Sequence, residues 1–223
     1  MDAKYTALTP ELYQYLVDHG TPQDAVLREL AAETVAALGP ISLMQIAPEQ
    51  GALMTLLVRS IGARFAIEVG TFTGFSGICI ARGLAPGGRL LCCDVNEEWT
   101  RIARRYFDRA GVADRIELKI APAIETLRAL PNEPRVDFAF IDADKVSYGA
   151  YYEEILKRLR SNGLIMFDNV LWGGQVIDPN NRSEDTEALR ELNDVIARDA
   201  RVQAVMLSVS DGITVVRKRA PGE

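Results

Sequence analysis

From residue 65 onward, short and nearly unbroken apolar runs alternate with stretches whose apolar residues recur every three or four positions. The runs cover 65–69, 89–93, 116–120, 136–141 and 164–167; the amphipathic stretches cover 75–84, 97–109, 122–130 and 147–160. An unbroken apolar run suits a strand buried on both faces, as in a parallel sheet covered by helices. The alternation is therefore a βαβ repetition and predicts a doubly wound α/β sheet. The end of the chain departs from this rhythm. A helix over 184–199 leads to a strand at 202–208, a turn at Asp211-Gly212 and a strand at 213–217. Strands joined by so short a turn run antiparallel, so seven strands are predicted, mostly parallel with the last reversed.

The first sixty residues read as helices alone. Thr9-Pro10-Glu11 is a cap followed by proline, and Leu12, Tyr15 and Leu16 then share one face. Thr21-Pro22-Gln23-Asp24 repeats the start signal; Leu27, Leu30, Ala31 and Leu38 carry that helix to its stop at Gly39-Pro40. A third helix follows Pro48, with Leu53, Leu56 and Leu57 predicted inward, and ends near Gly62. No linker, repeat or low-complexity segment divides the chain, so residues 1–223 are read as one domain, with 1–62 as a helical region on a core at 63–223.

Composition narrows the classes. At 223 residues and 48% apolar content the chain can bury a sizeable core and is not a disordered sequence. A net charge of −6 argues against nucleic acid or an anionic membrane as partner. One histidine, His19, excludes a multi-histidine zinc site. Cys79, Cys92 and Cys93 all lie in apolar runs and read as buried thiols of a reducing compartment. No apolar run reaches the ~18 residues of a membrane span, and the first residues lack the apolar core of a signal peptide. The expectation is a cytoplasmic protein.

In an open α/β sheet the ligand lies beyond the carboxyl ends of the strands, so those residues carry the chemistry. After the first strand stands Glu68-Val69-Gly70-Thr71-Phe72-Thr73-Gly74-Phe75-Ser76. A dinucleotide loop would need glycine where Phe72 stands, because a bulky residue there obstructs the pyrophosphate; this disfavours a nicotinamide-dependent oxidoreductase. The second strand ends at Asp94, a carboxylate suited to two ribose hydroxyls, or otherwise to the start of the next helix. The fourth and fifth strands end in Asp142-Ala143-Asp144-Lys145 and Asp168-Asn169. Together Asp142, Asp168 and Asn169 offer three hard oxygen ligands, which select Mg²⁺, Ca²⁺ or Mn²⁺; the alternative reading of Asp168-Asn169 is a plain turn. Lys145, close to such an ion, is a candidate to take a proton from a hydroxyl, against the plainer reading of a solvated lysine.

These motifs, with Leu12-Tyr13-Gln14-Tyr15, Met44-Gln45-Ile46-Ala47-Pro48-Glu49-Gln50-Gly51, Asp168-Asn169-Val170-Leu171-Trp172 and Asp211-Gly212-Ile213-Thr214, resemble the cation-dependent O-methyltransferases over nearly the whole chain. That group includes caffeoyl-CoA O-methyltransferases and, more distantly, catechol O-methyltransferase. The resemblance implies a class I S-adenosylmethionine-dependent fold with cofactor contacts at Met44, Glu68, Gly70, Thr71, Phe72, Ser76, Asp94, Val95, Ala123 and Asp142. It implies metal ligands Asp142, Asp168 and Asn169, catalysis by Lys145 with Asp142 and Asn169, and substrate contacts at Lys4, Asp144, Trp172 and Asp211. It further implies a small phenolic acceptor with vicinal hydroxyls, Mg²⁺ as the favoured ion, and a homodimer. Gly173 stands where plant caffeoyl-CoA enzymes carry asparagine, and the loop over 173–185 has a lid-like composition. The alternatives are a metal-independent methyltransferase acting on a single hydroxyl or nitrogen, and a non-catalytic adenosyl-binding protein.

Overall fold

The chain's first helix is set by its cap and left almost bare by its packing. In the computed structural model, which describes residues 5–223, α1 (Pro10–Asp18) starts where the Thr9 hydroxyl accepts from Leu12 N. None of its residues is buried, and Tyr15 and Leu16, which share a face with Leu12, are exposed. Its tie to the rest is a 2.9 Å bond from Tyr13 OH to Glu49 Oε2. In α2 (Ala25–Leu38) the cap is Asp24, which accepts from Leu27 N, and Leu27, Leu30 and Thr34 face inward.

The face that α3 (Pro48–Ser60) buries partly includes the one its leucines predict, with Leu53 and Leu57 packed at its margin. Gln50, Gly51, Met54 and Val58 are buried, Leu53 and Leu57 are half-buried, and Leu56 is exposed. The reason is close approach. A Cβ on Gly51 would stand 2.9 Å from Cys79 Sγ, and one on Gly83 would stand 2.8 Å from Val58 Cβ. Two small residues thus let α3 press on α4 (Phe75–Gly83), and that contact, rather than the count of leucines, sets the rotation of α3.

Seven strands follow in the order β3-β2-β1-β4-β5-β7-β6. They are β1 (Phe65–Val69), β2 (Arg89–Asp94), β3 (Ile116–Ile120), β4 (Val136–Ile141), β5 (Leu159–Phe167), β6 (Val202–Leu207) and β7 (Ile213–Lys218). The pairs β1·β2, β1·β4, β2·β3 and β4·β5 are parallel, and β7 is antiparallel to both β5 and β6, as the short turn required. The central strands are buried on both faces. The edge strands β3 and β6 are not, although β3 was predicted to be. Alternate residues feed two cores. Ala66, Leu90, Cys92 and Phe140 pack towards α2, α3, α4 and α5 (Glu97–Arg109); Ile67, Leu91, Ile141 and Phe167 pack towards α6 (Ala123–Ala129), α7 (Tyr148–Arg158) and α8 (Glu184–Arg198). Among the described residues no single helix is long and apolar enough to cross a membrane. All three cysteines are free and buried, and burial pushes the Cys79 and Cys93 thiols up to about 12, which leaves them unreactive.

The strand order reverses between β1 and β4, and there the backbones nearly touch. A Cβ on Gly70, whose φ is +90°, would lie 1.8 Å from the carbonyl oxygen of Asp142. Gly70→Ala is therefore expected to destabilise the fold by more than ~3 kcal/mol in urea denaturation, from backbone displacement plus left-handed strain. Gly173→Ala, at φ +58° with nothing within 4 Å of the new Cβ, is expected to cost only ~1–2 kcal/mol.

Candidate active site

Hydrogen bonds between neighbouring strands continue one residue past the strand ends, and this aligns the site. Gly70 N donates to Cys93 O at 2.9 Å, Asp142 N to Val69 O at 2.8 Å, and Asp168 N to Ile141 O at 3.1 Å. Asp94, Gly70, Asp142 and Asp168 consequently stand in a row at the carboxyl edge, spaced by the ~4.8 Å of adjacent strands.

At one end of the row, the carboxylate of Asp94 organises the glycine loop. Its Oδ2 accepts from Thr71 N at 2.9 Å and Phe72 N at 2.8 Å, and its Oδ1 accepts from Asn96 N at 2.8 Å. The cap of α5 is Asn96, which accepts from Trp99 N. Phe72 sits at φ +50° with its ring edge-on to Trp99, centroids 5.2 Å apart. Beneath the loop, Glu68 is fully buried and neither carboxylate oxygen has a hydrogen-bond partner. Burial raises its pKa to about 7, against the pull of nearby Ser76, Cys92 and Thr71. The sequence-predicted cofactor residues thus separate: Glu68, Thr71, Phe72, Ser76 and Ala123 are buried, whereas Met44 and Val95 are exposed.

At the other end lies a charged cluster. Lys145 is 7% exposed. Its Nζ donates to Asp142 Oδ1 at 3.1 Å, to Asn169 Oδ1 at 2.7 Å and to Tyr148 OH at 2.6 Å. The same ammonium lies 5.7 Å from the centre of the Trp172 ring. Tyr148 OH donates in turn to Asp168 O at 3.3 Å. Asp168 is 4% exposed; burial, then the Asp142 charge, raises its pKa to about 7. Desolvation raises that of Asp142 as well, opposed by Lys145. Asp142, Asp168 and Asn169 are brought together as their strand-end positions predicted. Asp144 instead turns outward and accepts from Tyr151 OH at 2.8 Å, and Lys4 lies outside the described residues. The loop over 173–185 is held by Arg190 of α8, which donates to the carbonyls of Gln175, Val176, Asp178 and Asn181.

Two residues of this cluster escaped sequence reasoning. Tyr148 reads as one more aromatic of α7. Gln50 is a polar residue on the buried face of α3; it is 0% exposed, and neither amide atom has a hydrogen-bond partner. Its carboxamide lies beside Asp168 and pulls that carboxyl's pKa down. Its spacing of four and eight residues from Met54 and Val58, which puts a glutamine on an apolar stripe, is the sequence signal that would have found it.

The profile of the O-methyltransferase family matches residues 17–219. The chain belongs to the O-methyltransferase family. It is 39% identical over 211 residues to the probable caffeoyl-CoA O-methyltransferase 1 of Dictyostelium discoideum, covering 93% of this chain and 91% of that protein. The crystal structure of an O-methyltransferase from Bacillus cereus in complex with SAH superposes at a TM-score of 0.83 and 36% identity, over 92% of this chain and 96% of that one. The O-methyltransferase TomG from Streptomyces achromogenes, involved in tomaymycin synthesis and solved in complex with SAM, superposes at 0.86 with 28% identity, over 94% and 96%. Its fold and kinship make this protein an O-methyltransferase.

The buried charge of Glu68 gives a test with a definite sign. Its folded-state pKa of about 7 lies above the usual 4.5. The unfolded chain therefore gives up that proton first, and stability is lost as pH rises from about 4.5 to about 7. Glutamine has no proton to lose. In the ligand-free protein, Glu68→Gln is expected to gain stability relative to the parent on going from pH 4.5 to pH 8, by up to ~3 kcal/mol, measured by thermal denaturation at both pH values.

Proposed function

We propose that this methyltransferase moves the methyl group of S-adenosylmethionine to one hydroxyl of a catechol-type ring, with a hard divalent cation, Mg²⁺ first, held by Asp142, Asp168 and Asn169. The observation that carries the reading is the cluster itself. Two carboxyls and an amide oxygen converge at neighbouring strand ends; desolvation disfavours ionisation of both carboxyls, and a single buried ammonium offsets them. Such an all-oxygen set suits Mg²⁺, Mn²⁺ or Ca²⁺. Support for the donor comes from the SAH and SAM held by the two superposed enzymes. Support for the acceptor comes from the caffeoyl group named for the Dictyostelium protein, which is itself a catechol.

A divalent cation in this cluster would lower the pKa of a phenol beside it and fix the ring's orientation. Lys145 has the central role. Held by Asp142, Asn169 and Tyr148, Lys145 is the group positioned to receive the hydroxyl proton as general base in its amine form. The phenolate oxygen then attacks the methyl carbon, the carbon–sulfur bond breaks, and S-adenosylhomocysteine leaves. Tyr148 keeps the lysine in place, and the Trp172 ring walls the same space. Positioning supplies much of the rate, because the displacement asks little covalent chemistry of the protein.

A catechol panel with labelled S-adenosylmethionine tests this reading. Methylation is expected to stop in EDTA and return with Mg²⁺, and Lys145→Met is expected to lower kcat ~10²–10⁴-fold. Full turnover in EDTA would favour a second reading, metal-independent transfer. The bridge that the Lys145 ammonium already makes between Asp142 and Asn169 is consistent with it.

A further inference from the structure

The turn between β6 and β7 brings Asp211 to Asn169, and the two are 42 residues apart in sequence. The side-chain amide of Asn169 lies between opposite charges. Its Oδ1 accepts from Lys145 Nζ at 2.7 Å, and its Nδ2 donates to Asp211 Oδ2 at 3.4 Å. The flipped amide would set N–H against an ammonium and oxygen against a carboxylate, replacing two attractions with two repulsions. At 3.4 Å the bond to Asp211 is long, so its effect is chiefly to fix direction.

Asp211 is itself firmly placed. Its Oδ1 accepts from Gly173 N at 2.7 Å, and its backbone carbonyl accepts from Leu171 N at 3.1 Å. Gly212 beside it, at φ +85°, is so close to Leu171 that a Cβ would stand 2.4 Å from Leu171 Cγ. Asn169 and Trp172 also have left-handed φ, at 57° and 51°, so the connection doubles back tightly and Asp211 is its clamp. Both carboxylate oxygens are committed within the protein. These partners point to a role for Asp211 beside the substrate contact that resemblance implies.

We propose that Asp211 is a positioning residue: it holds the Asn169 amide with its oxygen turned towards Lys145 and the two strand-end carboxyls, and so sets how strongly that oxygen cluster takes a hard divalent cation. The inference rests on the cation reading above and assigns the orienting group for one of its ligands. Partners behind a metal ligand commonly change affinity ~10–100-fold when removed.

A cycle of variants separates orientation from mere structural support, with Mn²⁺ binding to the purified full chain read by electron paramagnetic resonance. Asp211→Ala is expected to weaken Mn²⁺ binding ~10–100-fold. With Asn169→Asp already in place, the same change is expected to have little effect, because a carboxylate presents oxygen whichever way it turns. If Asp211→Ala does not fold, Asp211→Asn serves in its place, since an asparagine cannot accept from both Gly173 and Asn169. Equal losses in the two backgrounds, or no loss in either, would overturn the inference and leave the cation reading standing. A parent protein that binds no Mn²⁺ would overturn the cation reading and this inference with it.

Discussion

The contact between the end of β1 and the end of β4 governs the geometry of the site. At Gly70 the chain turns away from the sheet with no room for a side chain, because the Asp142 carbonyl occupies the place where a Cβ would go. This close approach falls where the strand order reverses, the crevice at which an open α/β sheet takes its ligand. Backbone bonds that run past the strand ends then carry the alignment outward to Asp94 on one side and Asp168 on the other.

The row so built is electrostatically demanding. Glu68, Asp142 and Asp168 are acids whose surroundings disfavour their ionised forms. Lys145 is bonded to Asp142 among them, and its ammonium is held by three acceptors and flanked by two aromatic rings. A strand edge with this much latent negative charge is arranged to receive positive charge. The sulfonium of SAM, which a superposed relative holds, carries such a charge.

Much of this was legible in the linear pattern. The unbroken apolar runs marked five strands, and the residues directly after them were the ones that converge. Asp142, Asp168 and Asn169 could be grouped because strand ends in a parallel sheet share one edge. The pattern failed where packing overrides periodicity. Leu56 of α3 points out, because Gly51 and Gly83 bring α3 and α4 together on the face of Met54 and Val58, and Gln50 goes in with that face. On the face that Leu12, Tyr15 and Leu16 share in α1, Leu12 is half-buried and the other two are exposed, so the amphipathic spacing overstated burial.

Local sequence by itself determined the element order, the reversed last strand and the chemical types at each strand end, because these depend on side-chain period, turn length and residue identity. Only the tertiary structure decided what those groups face. Lys145 could be solvated or buried until Tyr148, Asn169 and Trp172 closed around it. Asp211, a substrate contact by resemblance, is brought to Asn169 only by the antiparallel pairing of β7 with β5. Such contacts join residues far apart along the chain, and spacing rules describe near neighbours alone.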